Sequence, residues 1–261
     1  MKVSRTDKSM LLRAFLKKGG WTLLSFSFLF LLWYIVALIV GNAYLLPSLG
    51  ETIKASGRLL MDQDFWSAYV STLMRSFAGF FISFIVAGFF ALLTCYVAEL
   101  EKFFAPILSL LRSLPTMAIL LIIILWTSAS VAPIVVSVLV LLPMLYSAML
   151  GSKTAVNTEL IEMSKVYGVP QKIMIKQLVL PSVYSSLSRE ALASLTLALK
   201  LTVSAEIMAN TFQSLGGAMQ TANLYAQTSS VFALAMIVFL TGFVLECVGL
   251  CATKYIERRF L

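Results

Sequence analysis

Long apolar runs alternate with short polar stretches along this chain. A run from Trp21 to Leu46 is followed by a mixed segment, Pro47–Trp66, and then by apolar runs at about 68–97, 104–126, 131–150, 190–212 and 231–253. A helix needs about 20 apolar residues to cross a bilayer. The pattern therefore predicts an all-α membrane protein with six transmembrane helices. The expected organisation is a basic segment at 1–20, a first transmembrane helix at 21–46, a linker at 47–66, a five-helix core at 67–253 and a basic tail at 254–261. The linker holds Glu51, Lys54, Arg58, Asp62 and Asp64 among Ile53, Leu59 and Leu60. That mixture suits either an amphipathic helix on the outer surface or a plain connection.

Two features qualify the spans. Arg112-Ser113-Leu114-Pro115 interrupts the third, where proline is tolerated if neighbours satisfy the freed carbonyl. The first span follows a basic segment, as a signal peptide would, but it is too long and has no small-residue cleavage site. It reads as a retained helix.

Between the fourth and fifth spans lies a polar loop at 153–182. From Asn157 onward it reads as two short helices joined by a turn. Asn157 or Thr158 can cap the first, with Glu159 and Glu162 near its positive end. Gly168 ends it, because the residue past a helix C-terminus often needs positive φ. Pro170 fits the first turn of the next helix, and Pro181 is expected to stop that helix.

Composition agrees with a membrane protein. Of 261 residues, 60% are hydrophobic and 12% charged, and mean hydropathy is +0.93; soluble domains carry about 25% charged residues. The net charge of +8 is explained by location rather than by nucleic-acid binding. Lys2, Arg5, Lys8, Arg13, Lys17, Lys18, Lys102, Lys153, Lys165, Lys172, Lys176, Arg189, Lys254, Arg258 and Arg259 fall on one side, and only Lys54, Arg58 and Arg75 on the other. The positive-inside rule then puts both termini and the polar loop in the cytoplasm.

The chain has no histidine, which removes the commonest metal ligand and general base. Cys95, Cys247 and Cys251 sit in apolar runs without metal-ligand spacing and are expected to be buried small residues. No catalytic or metal site is expected, and no cofactor. Gly151-Ser152-Lys153-Thr154 lacks the glycine pattern of a phosphate loop, so the chain cannot hydrolyse ATP alone.

Ionisable residues inside spans are costly and need an account. Lys200 lies near the middle of the fifth span, with Ser204, Glu206 and Asn210 beyond it. Lys200 and Glu206 are about 120° apart round a helix. Each either lines a water-filled pathway or pairs with another span. Arg112 is a candidate for a gate or a snorkelling side chain. Glu246, about two turns from Lys254, suits a structural ion pair. Gly216-Gly217 fits a re-entrant turn at the pathway mouth or a plain loop.

The polar loop also carries a resemblance. Glu162-Met163-Ser164, Gly168 six positions after the Glu, and Leu178-Val179-Leu180-Pro181 resemble the Glu-Ala-Ala loop of bacterial ABC importer permeases. Met163 and Ser164 replace the two alanines, and Leu178 an isoleucine. Leu46-Pro47-Ser48, Arg112 with Pro115, Ala205-Glu206 and Leu215-Gly216 are similar to the aliphatic sulfonate, nitrate and taurine branch. The resemblance implies that the loop is a coupling helix seated in a cytoplasmic ATPase, with Glu159, Glu162, Met163, Ser164, Lys165, Tyr167, Gly168, Pro170, Leu180 and Pro181 at the contact. It implies ATP and Mg held by the partner, a second copy of the chain, an extracytoplasmic substrate-binding protein and the bacterial inner membrane. Lys200 leans towards a small anionic solute, though relatives also carry heterocycles such as thiamine precursors and riboflavin. The rival readings are a gradient-driven transporter relaying ions through Lys200 and Glu206, which the lack of internal repeats disfavours, and a membrane enzyme, for which no acid–base pair is visible.

Overall fold

The computed structural model of the chain describes residues 24–25, 27–97, 99–152 and 158–260. The predicted basic segment 1–20, the head of the polar loop at 153–157, and the side chains of Cys95, Leu180, Pro181 and the tail from Lys254 on lie outside the described residues. The regular elements among the described residues are all helical: α1 (Ser27–Val40), α2 (Leu49–Met61), α3 (Gln63–Tyr96), α4 (Glu99–Ser113), α5 (Thr116–Trp126), α6 (Ala132–Gly151), α7 (Thr158–Val166), α8 (Gln171–Met174), a π turn (Ile175–Val179), α9 (Leu180–Ala209), α10 (Leu215–Leu224) and α11 (Thr228–Phe260).

Among the described residues, four stretches are each long and apolar enough to cross a membrane: Gln63–Thr94, Ala132–Gly151, Leu187–Ala209 and Thr228–Thr253. These correspond to the predicted second, fourth, fifth and sixth spans. The predicted third span is not one rod. It is α4 and α5, meeting at an angle of 94°. Pro115 disfavours helical geometry at Leu114 and has no N–H to continue the ladder, so the helix ends at Ser113 and restarts at Thr116. The first apolar helix stops at Val40 rather than Leu46, because Gly41 turns the chain at φ +59° and Asn42 closes a turn with Leu45 and Leu46.

The linker does form a helix, α2, with Ser48 and Glu51 in a reciprocal capping box. Its buried face is Thr52, Ala55 and Ser56, while Ile53 and Leu60 are exposed. Small residues let it lie close against α11.

The bundle is centred on α3, α6 and α9. Phe80, Ala87 and Ala91 of α3 pack with Leu141, Leu145 and Tyr146 of α6 and Ala198 of α9. A Cβ at Gly79 would come within 2.8 Å of Ser137 Cβ, so glycine sets the α3–α6 approach. Polar links cross the same seams: Thr94 to Tyr146 at 2.9 Å and Ser137 to Thr202 at 3.2 Å. Lipid is as apolar as leucine, so close backbone approach and interhelical hydrogen bonds hold such bundles together. Large apolar side chains such as Phe89, Leu92, Leu125 and Val248 point outward instead. Cys247 and Cys251 share that outer surface, so the expectation that they are buried is wrong; residues facing lipid need not be covered by protein.

Candidate functional site

The polar loop forms largely as its residues dictate. α7 ends in a Schellman motif: Gly168, at φ +67°, donates its N–H to Lys165 O, and Val169 donates to Ser164 O. Pro170 directly precedes α8, and its carbonyl accepts from Ile173 and Met174. Pro181 does not stop this second helix. The π turn at Ile175–Val179 carries the backbone onward, and Pro181 becomes the second residue of α9. A widened turn loosens the i→i−4 ladder and so accommodates a proline that a regular helix would reject.

Leu160, Met163 and Tyr167 fall at i, i+3 and i+7, one stripe of α7, and Val166 lies beside it. All four are exposed, Tyr167 by 77% and Met163 by 54%. Glu162, Lys165 and Pro170 are exposed as well. The loop thus presents an apolar stripe flanked by charge that the described helices leave open.

The candidate pathway residues fall in separate places. Glu206 is fully buried. Its Oε1 accepts from Arg75 Nη1 at 2.9 Å, and its Oε2 accepts from Thr72 Oγ1 at 2.8 Å and from the Gly216 N–H at 3.2 Å. Thr72 Oγ1 in turn accepts from the Leu215 N–H at 2.9 Å. One carboxylate thereby ties α3, α9 and the N-terminus of α10 together, and backbone amides at a helix start suit a negative charge. Gly216 and Gly217 are in α10, not in a loop. A Cβ on Gly216 would run into Glu206 Cβ and lie 2.6 Å from Val203 O, and one on Gly217 would run into Thr211 O. They are there because α10 lies directly on the end of α9.

Asn210, at φ +47°, is the left-handed cap of α9: it donates to Ile207 O, and Thr211 donates to Glu206 O. It faces a cavity of about 580 Å3 shared with Asp62, Asp64 and Gln213. Arg112 donates to Pro143 O at 2.9 Å and to Ser147 Oγ, bridging α4 to α6 beside a cavity of about 590 Å3 that Glu190 also lines.

Lys200 and Ser204 are exposed and share a groove of about 360 Å3 between α9 and α11 with Glu246. Lys200 lines this groove and Glu206 does not. The sequence reading missed Arg75 and Thr72 as partners of Glu206. The available signal was a second ionisable residue in an apolar run, with a hydroxyl one turn before it. No group of metal-ligating side chains occurs among the described residues.

Residues 84–260 match the family model described as binding-protein-dependent transport system inner membrane component. A search of curated proteins finds no match. Among solved structures, an amino acid ABC transporter with histidines superposes with a TM-score of 0.58 at 16% identity, covering 75% of this chain and 94% of that one. Two inward-facing structures of the MetNI methionine ABC transporter give TM-scores of 0.55 and 0.57 at 20% and 19% identity, covering 74% and 71% of this chain and 94% and 93% of theirs. These likenesses establish a shared helical fold.

Proposed function

The chain belongs to the binding-protein-dependent transport system inner membrane components, the permeases of ABC importers, and we propose that it couples to a separate cytoplasmic ATPase through α7 and the Gly168 turn. The observation that carries the proposal is the exposed stripe of Leu160, Met163, Val166 and Tyr167 on a short capped helix set between two spans. An apolar stripe of that kind, rimmed by Glu162 and Lys165, is the surface of a partner-binding element.

In this reading ATP and Mg stay with the partner and the permease performs no chemistry. ATP binding draws two ATPase subunits together, α7 moves with them, and the spans of two permease copies rock between inward- and outward-facing arrangements. A binding protein delivers the solute on the opposite side. Both termini and α7 face the cytoplasm of a bacterium, as the distribution of lysine and arginine supports. The sulfonate, nitrate and taurine branch remains the proposed affiliation on the short matches around Pro47, Arg112 and Glu206.

The test is to replace Glu162 by Ala and Gly168 by Val, then measure ATPase co-purification and ATP-driven uptake in proteoliposomes. Loss of both supports the lever role; retention of both in each variant overturns it.

A further inference from the structure

We propose that the groove between α9 and α11 is a solute subsite for a small zwitterion, a single molecule carrying an ammonium and a carboxylate or sulfonate. The inference rests on the importer reading and deepens it by naming the chemistry of the cargo.

The groove of about 360 Å3 has apolar walls, among them Val203, Val238 and Phe239, and carries two opposite charges, Lys200 and Glu246. Both lie within stretches apolar enough to span a membrane. Both are exposed, and neither has an ion-pair or hydrogen-bond partner among the described residues, where the one salt bridge is Arg75–Glu206. Unpaired charges at such positions are costly, and the cost is offset when they face a water-filled cavity or a ligand.

The helix register fits them to one ligand. Gly242 of α11 faces Thr196 and Leu199 of α9, at 3.5 Å and 3.9 Å from its added Cβ, and Gly249 lies on Leu192. Residue numbers rise on one helix as they fall on the other, so the two are antiparallel. That pairing puts Lys200 level with about residue 240, roughly 9 Å along the axis from Glu246 at 1.5 Å per residue. Side chains lean toward the N-terminus of their own helix. On antiparallel helices these two therefore lean toward each other, leaving a short gap between ammonium and carboxylate. A small zwitterion bridges it: its acid group meets Lys200 and its ammonium meets Glu246. A plain anion would satisfy Lys200 but add its charge to that of Glu246. Lys200 read alone suggests an anionic solute; with Glu246 in the same groove, a zwitterion fits better.

The experiment uses the full chain assembled with its ATPase in nanodiscs, with radiolabelled alanine, taurine and γ-aminobutyrate as zwitterionic probes and acetate and methylammonium as singly charged controls. Saturable binding of at least one zwitterion is expected, weakened ten- to a hundredfold by Lys200→Met and by Glu246→Gln, the loss of one charge-assisted hydrogen bond. Lys200→Arg, which keeps the cation, is expected to retain binding and covers the case in which Lys200→Met does not fold. Binding of no zwitterion, equal binding by all variants, or acetate binding that ignores Glu246 overturns the inference. ATPase co-purification is scored on the same samples. Co-purification without zwitterion binding removes this subsite and leaves the importer reading standing, whereas its loss counts against the importer reading itself.

Discussion

Arg75 on α3 and Glu206 on α9 are joined at 2.9 Å across the bundle, with the Glu206 side chain wholly buried and that of Arg75 16% exposed. A buried pair of this kind contributes little over an apolar replacement of both, but breaking it leaves an uncompensated charge. Arg75→Met is therefore expected to destabilise the permease by about 3–5 kcal/mol. Glu206→Gln should cost less, because Thr72 and the Gly216 N–H retain an acceptor and Arg75 reaches solvent. The double variant Arg75→Met/Glu206→Gln should recover part of the Arg75→Met loss. Thermal unfolding midpoints of the four proteins in nanodiscs decide the matter. Equal midpoints for Arg75→Met and wild type would show the pair to be incidental.

Gly216 offers a steric test of the same junction. An added methyl there meets Glu206 Cβ and the Val203 carbonyl, so Gly216→Ala must lift α10 off α9. Overpacking of this kind costs about 1–3 kcal/mol, occasionally more. Gly57→Ala in the interior of α2 is the control: a Cβ there meets nothing within 4 Å, and helix propensity favours alanine by about 0.8–1 kcal/mol. The two substitutions should move the unfolding midpoint in opposite directions.

The two parts of the molecule were unequally legible. Helix class and the ends at Gly168 and Ser48 follow from local rules, since a positive-φ glycine and a capping box are set by neighbours in sequence. The polar loop was legible for the same reason. What local rules missed was tertiary. Glu206 stayed open between lining a pathway and pairing with another span because its partner is more than a hundred residues away, and Gly216 looked like a loop glycine because nothing nearby shows that α9 lies beneath it. Pro181 misled in a further way: a π turn, which no residue pattern announces, let the helix run through it.

The α7 stripe gives a prediction that separates docking from folding. Tyr167 is 77% exposed, so Tyr167→Ser removes little that the isolated permease uses. The unfolding midpoint should stay within a degree or so of wild type, as surface substitutions usually change stability by less than about 0.5 kcal/mol. ATPase binding, in contrast, should weaken by roughly tenfold or more, the effect of truncating an aromatic anchor. Surface plasmon resonance of purified ATPase over immobilised permease nanodiscs measures it, and unchanged binding would move the contact elsewhere.

Arg112 holds the elbow between α4 and α5, and its chemistry makes Arg and Lys distinguishable there. One guanidinium nitrogen, Nη2, donates to both Pro143 O and Ser147 Oγ, and the planar group fixes the directions of the two bonds as the freely rotating ammonium of a lysine does not. Arg112 thereby ties the end of α4 to the middle of α6, next to the proline inside that helix. Arg112→Met should cost about 1.5–3 kcal/mol, the range for hydrogen bonds to a charged group, and Arg112→Lys about half of that. Because Arg112 sits beside the 94° bend at Pro115 and well away from the Glu206 junction, the loss should appear locally. Amide hydrogen exchange in α5 and the middle of α6 should accelerate, while exchange in α9 at the Glu206 junction stays unchanged. Uniform acceleration across all three helices would mean that Arg112 supports the bundle as a whole, and the elbow would then need another anchor.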